Sequence, residues 1–329
     1  RRRFLQTGLT TAGLTATAKL SAGCFDRLRG NPRSSSDSSP PAQPYRILCC
    51  DGGGLKGLIT ALMLERLEQK IQRVSPQTKL KDHFDLIAGT STGSIIACAL
   101  AQGYSTPEIV KLYEEEASKI FPNPQRLFDI FSEQTYKIQG AFKAFAESMN
   151  RFFGELLRRD REQDLSLPLL EDEAHNLADL LKKYFQNPNS QQDQILLDLD
   201  PKKVLVVAYD VYNRKPILLS NLDPQQGDVD ARQTEIWKVC RASAAVPGIF
   251  SSFLLDNPVL LASLKPQAYG RIPPTNPKDP NEKPALPLID GCVVSNNPAL
   301  WAIEKARSFS RDEAIFLASF GTGQYRESF

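Results

Sequence analysis

The sequence predicts an α/β fold with a largely parallel sheet, and three observations carry that reading. Twice, a short apolar run enters a glycine turn and is followed by an apolar helical stretch, the pattern of a buried strand feeding a helix. A third apolar run, Val204–Tyr209, is a strand by its β-branched content. No internal repeat is evident that would point to a solenoid or propeller instead.

Tyr45–Cys50 is the first of these strands, and it ends in Asp51-Gly52-Gly53-Gly54. Residues 58–72 then place Leu58, Ile59, Leu62, Met63, Leu67 and Ile71 at helical spacing. Phe84–Ala88 is the second strand, again running into glycine, and Ser94–Ala101 is an apolar helix. Residues 105–185 read as mostly helical, with periodicity over Glu108–Lys119, Ala141–Arg159 and Leu177–Phe185. Ile217–Ser220 is expected beside Val204–Tyr209, after a turn at Asn213-Arg214-Lys215-Pro216. Residues 265–287 hold seven prolines and read as a surface insertion. Pro287-Leu288-Ile289 leads into Asp290-Gly291, and Ala314–Phe320 is a last strand closed by Gly321-Thr322-Gly323.

With 329 residues, 41% of them hydrophobic, the chain can bury one large core or two small ones. A net charge of +2 gives no reason to expect nucleic acid as the main partner. That charge is uneven: residues 1–44 carry seven basic and two acidic side chains, which leaves the remainder mildly acidic. The chain opens Arg1-Arg2-Arg3-Phe4-Leu5 without a methionine, so residues upstream are expected. The weakly apolar stretch Leu9–Leu20 is too short for a stable membrane span, and with the arginines it resembles a twin-arginine export signal. Leu20-Ser21-Ala22-Gly23-Cys24 resembles a lipoprotein cleavage box, with its leucine one place too far upstream. Residues 1–23 are thus expected to be an export signal and 24–44 a flexible Ser/Pro-rich tether. An exported chain would be periplasmic, secreted or lipid-anchored at Cys24; an ordinary basic tail on a cytoplasmic chain is the alternative.

The six cysteines lack CxxC spacing and read as free, mostly buried thiols. His83 and His175 are the two histidines, too few for the usual zinc-ligand spacing.

Gly89-Thr90-Ser91-Thr92-Gly93 matches GxSxG between a strand and an apolar helix, the context of a nucleophile elbow. Gly89 and Gly93 would let backbone pass close to the serine, and the helix N-terminus would favour negative charge there. A serine nucleophile needs a base. Only His175 follows Ser91, inside a charged segment, so a carboxylate is the better reading. Asp290 ends an apolar run and opens a tight turn, which makes it the strongest candidate. A lone Asp-Gly is ordinarily just a turn; the other motifs change that weighting. Gly52, Gly54 and Gly57 form GxGxxG, compatible with a dinucleotide loop or an oxyanion hole. Asp51 would repel a diphosphate, and no acidic residue ends a strand about 20 positions on, so the oxyanion reading is favoured.

Together, DGGGLKG at 51–57, GTSTGS at 89–94 and DGC at 290–292 resemble the patatin-like phospholipase family. RASAAVPGIF at 241–250, VVSNNPA at 293–299 and SFGTG at 319–323 belong to the same likeness, which covers roughly residues 45–323. Two positions depart from the family pattern: Cys292 replaces a small Gly or Ala, and Ser94 stands where glycine is common. The resemblance implies a three-layer sandwich, helices on both faces of the sheet, over an acyl hydrolase domain at 45–329. It also implies a Ser91–Asp290 dyad, an oxyanion hole from the amides of Gly52, Gly53 and Gly54, and no metal or cofactor. The implied substrate is a membrane or micellar lipid ester; soluble acyl esters or thioesters, or silent lipid binding, are the alternatives.

Overall fold

The computed structural model describes residues 43–120, 171–187, 189–247, 249–264, 284–310 and 313–323. The export signal, Cys24, nearly all of the tether, the helix expected at Ala141–Arg159 and most of the insertion expected at 265–287 lie outside these residues. The elements run β1 (Tyr45–Cys50), α1 (Gly57–Gln72), β2 (Leu86–Thr90), α2 (Thr92–Gln102), α3 (Thr106–Ile120) and α4 (Glu171–Phe185). Then come β3 (Lys203–Asp210), β4 (Lys215–Ser220), α5 (Ile236–Ser243), β5 (Phe253–Leu255) and α6 (Pro258–Ser263). The last three are β6 (Leu286–Asp290), α7 (Ala299–Phe309) and β7 (Ile315–Phe320).

The seven described strands form one mixed sheet in the order β5-β6-β3-β2-β1-β7, with β4 also paired to β3. The expected parallel arrangement is β7-β1-β2-β3. Beyond it, β4 and β6 run antiparallel to β3, and β5 antiparallel to β6. Both faces are covered, which is why the central strands read as unbroken apolar runs. Leu48, Cys50, Ile87, Val204 and Val206 point into the larger core, beneath the helices α1 to α6. The alternate residues Ile47, Cys49, Leu86, Ala88, Leu205 and Val207 face Ala302 and Ala306 of α7. The result is helix, sheet, helix, as expected, with most of the helices on one side. No helix among the described residues is long and apolar enough to cross a membrane.

The register places the site. β2 pairs with β3 up to Thr90 opposite Val207. β6 takes over with Asp290 opposite Ala208. β4 spans Leu205–Asp210 along the other edge of β3, so β2 and β6 share one edge. Because one is parallel and the other antiparallel to β3, their C-terminal ends meet head to head.

Some boundaries differ from expectation. Residues Ala285–Pro287 are not surface insertion: Ala285 and Leu286 are buried, and β6 begins at Leu286. A proline occupies a strand wherever its missing N–H has no ladder partner to lose, so Pro287 marked the boundary too late. Pro216 likewise lies in β4, which starts at Lys215 inside the expected turn. The second strand is shifted to Leu86–Thr90, since Phe84 closes a short 3-10 turn.

Candidate active site

Ser91 occupies the sharp turn between β2 and α2 with φ 54° and ψ −126°. Backbone there is strained for any residue with a Cβ, on the order of 1–3 kcal/mol, and persists only when its surroundings over-determine it. Here they do. The Ser91 N–H donates to Ser243 Oγ at 2.8 Å, and that hydroxyl donates to the Val207 carbonyl at 2.6 Å. The Ser91 carbonyl accepts from Ser94 N at 2.8 Å and from Ser94 Oγ at 2.6 Å. The turn also needs bare backbone beside it. A Cβ on Gly89 would sit 2.2 Å from the Gly93 carbonyl oxygen, and one on Gly93 would sit 2.2 Å from that of Cys50. Ser94, a departure from the family pattern, thus adds a hydroxyl anchor.

The structure brings Ser91 and Asp290 together across 199 positions of sequence: Ser91 Oγ donates to Asp290 Oδ2 at 2.6 Å. Both residues are buried. The second carboxylate oxygen accepts from Cys292 N at 2.8 Å, and the Asp290 N–H donates to the Ala245 carbonyl at 2.9 Å. The turn asks position 292 for an amide, which a cysteine supplies as well as a glycine does. Burial pushes the Asp290 carboxyl up from 3.8 to about 6, while the hydrogen bonds from Ser91 and Cys292 pull the other way. At neutral pH it is therefore an anion, and a stronger base than an exposed carboxylate.

The glycine loop lies over the elbow: a Cβ on Gly52 would fall 3.1 Å from Ser91 Cβ. Two distant segments fasten it. Asp51 N donates to the Phe320 carbonyl at 3.0 Å. The Gly52 carbonyl accepts from Asn296 Nδ2 at 3.2 Å and from Thr322 Oγ1 at 3.1 Å. One expectation is corrected here. Gly52 cannot offer its amide to an oxyanion, because that N–H donates to the Asn296 carbonyl at 3.0 Å. The amides of Gly53 and Gly54 make no hydrogen bond to protein among the described residues, and Gly53 is exposed.

His83 lies away from this pair, with its Nε2 3.1 Å from Thr78 Oγ1, and His175 belongs to α4. Cys49, Cys50, Cys98 and Cys240 are free and buried, and Cys292 is half-buried. Sequence reasoning missed Ser243, Asn296, Thr322 and Gly291. The first three lie in the segments RASAAVPGIF, VVSNNPA and SFGTG, which carried the resemblance without being given roles.

An elbow serine hydrogen-bonded to a buried carboxylate, on a mixed sheet between helical layers, defines the class: an α/β protein with a serine–aspartate pair. The profile of the patatin-like phospholipase family matches residues 48–303, and the chain belongs to that family. It is 25% identical over 281 residues to "Patatin-like protein 3" of Arabidopsis thaliana, covering 80% of this chain and 53% of that protein. It is 24% identical over 316 residues to "Probable inactive patatin-like protein 9" of the same plant, covering 93% of this chain and 67% of that protein. Among solved structures it resembles VipD from Legionella pneumophila, with 15% identity, a TM-score of 0.40, and coverage of 85% of this chain and 50% of that one. The chain thus spans between about half and two thirds of the length of the first relatives it matches.

Proposed function

We propose that this chain is a serine acyl hydrolase that cleaves fatty-acyl esters of phospholipids or related glycerolipids through the Ser91–Asp290 dyad. The observation that carries the reading is the 2.6 Å hydrogen bond from Ser91 Oγ to Asp290 Oδ2 at a strained elbow. Family membership points to lipid as the source of the ester. Ser91 Oγ attacks the ester carbonyl carbon and its proton passes to Asp290. The carbonyl oxygen, now an anion, is held by the amides of Gly53 and Gly54 and by the positive end of α2. As the intermediate collapses, the carbon–oxygen bond breaks and Asp290 returns the proton to the departing alcohol. Water then attacks the acyl-serine as Asp290 takes its proton; the bond from the carbonyl carbon to Ser91 Oγ breaks, Asp290 returns that proton to Ser91 Oγ, and the fatty acid leaves.

The test is hydrolysis of a lipid panel, as vesicles, beside a soluble short-chain ester, by wild type, Ser91→Ala and Asp290→Asn. Ser91→Ala is expected to release no fatty acid while keeping its circular dichroism. Asp290→Asn is expected to lose about 10²–10⁴-fold or more in kcat with little change in vesicle binding, since the lost interaction develops only with the chemistry. Wild-type activity is expected to withstand EDTA, because the dyad supplies both nucleophile and base. Turnover confined to the soluble ester would move the assignment to a soluble esterase. No turnover with either substrate, but retained vesicle binding, would make the chain a silent lipid-binding relative.

A further inference from the structure

The helix behind the glycine loop is amphipathic in an unusual sense. Its inner face, Gly57, Thr60, Ala61, Leu64 and Glu68, is buried, as the 3.6-residue period requires. Its outer face should then be polar, but Ile59, Leu62 and Met63 line it, with Leu55 in the short turn just before it, each between 43% and 48% exposed. The charges that share this exposure are Lys56, Arg66, Lys70 and Arg73, all basic. The two acids of the helix are withdrawn: Glu65 is half-buried, and buried Glu68 accepts from Leu80 N at 2.8 Å and from Thr106 Oγ1 at 2.5 Å. This face reaches the segment that fastens the glycine loop. A Cβ on Gly323 would lie 3.9 Å from Ile59 Cδ1, and the preceding Thr322 donates to the Gly52 carbonyl.

We propose that the outer face of α1 docks the site onto an anionic lipid surface. Ile59, Leu62 and Met63 enter the boundary between headgroups and acyl chains, while Arg66, Lys70 and Arg73 lie among the headgroup phosphates. An apolar stripe bordered by basic side chains is the composition that binds such an interface. It sets the oxyanion loop, which leads directly into the helix, at the depth of the ester to be cut. The inference rests on the lipid-hydrolase reading above.

The experiment uses the full chain with two combined variants, Ile59→Gln/Leu62→Gln/Met63→Gln and Arg66→Gln/Lys70→Gln/Arg73→Gln. None of these residues belongs to the catalytic machinery, so both variants are expected to hydrolyse p-nitrophenyl butyrate as wild type does. Binding is measured on a Ser91→Ala background by co-sedimentation with phosphatidylcholine vesicles and with vesicles of equal parts phosphatidylcholine and phosphatidylglycerol. The basic variant is expected to lose roughly 100-fold in affinity for the anionic vesicles, about fivefold per residue. The apolar variant is expected to lose at least about tenfold on both vesicle types. Fatty-acid release from anionic vesicles should fall in step with binding. If wild type cleaves vesicle phospholipid and both variants match it, the docking face is refuted and the hydrolase reading stands. If α1-dependent binding occurs without fatty-acid release by wild type, docking stands and the substrate reading falls. A dimer that the apolar variant converts to monomer, with vesicle binding unchanged, would give the face to a second copy of the chain and refute the proposal.

Discussion

In the proposed mechanism Asp290 concentrates the chemistry into one ionisation. With its carboxyl pushed up to about 6, the base is ionised above that pH and protonated below it. The rate of ester cleavage should therefore fall about tenfold for each pH unit below 6 and level off above it. A pH–rate profile flat down to pH 4 would assign the base elsewhere. The same shift acts on stability. The folded value lies above the unfolded one, so folding favours the neutral acid. The penalty is absent below the unfolded value, grows as pH rises, and is complete above about 6, where it amounts to about 3 kcal/mol. Asp290→Asn should accordingly be more stable than wild type at pH 8 and equal to it near pH 3, by urea denaturation at each pH. An inactive variant that gains stability only at the higher pH would identify a residue kept for reactivity at the expense of the fold.

At the scale of elements, the site is a joint between two strand ends. Gly291 sits in that joint: a Cβ there would lie 2.2 Å from the Val207 carbonyl oxygen. Gly291→Ala should push the end of β6 away from β3 and lengthen the Ser91–Asp290 hydrogen bond. A displacement of about 1 Å can cost 10²-fold in rate, so kcat is expected to fall by about that factor while vesicle binding persists. Unchanged kcat in the folded variant would show that the joint tolerates more than its geometry implies. Much of this level was legible in the sequence. β1, β2 and β3 are buried on both faces and announce themselves as apolar runs, and GTSTGS sits where a strand must hand over to a helix. The antiparallel entry of β6 was not legible, because strand direction is set by tertiary pairing that the local pattern of Leu288 and Ile289 does not encode. The roles of Ser243 and Asn296 were hidden for a related reason. Their hydroxyl and amide groups suit many partners, and only the folded chain selects the Ser91 N–H and the Gly52 carbonyl. Short elements such as β5 and α6 have too few residues to establish a period.

For the molecule as a whole, every described element lies between Tyr45 and Phe320. A chain starting at Gln43 is expected to match the full chain in thermal midpoint and in turnover of a soluble ester; a marked drop in either would give the leading residues a structural part. We propose that those residues serve as an address. Replacing Arg1 and Arg2 with lysine should hold the protein in the cytoplasm, as cell fractionation would reveal. The 199-residue separation of the two dyad members has a consequence in time. During synthesis Ser91 emerges long before Asp290, and β2 can join β1 and β3 while the place of β6 beside β3 stays empty. Under the proposed mechanism the nascent chain holds a serine without its base until Asp290 has been made. Reactivity would then arise only with the pairing of β6 to β3, and a chain cut off before residue 286 is expected to hydrolyse no ester.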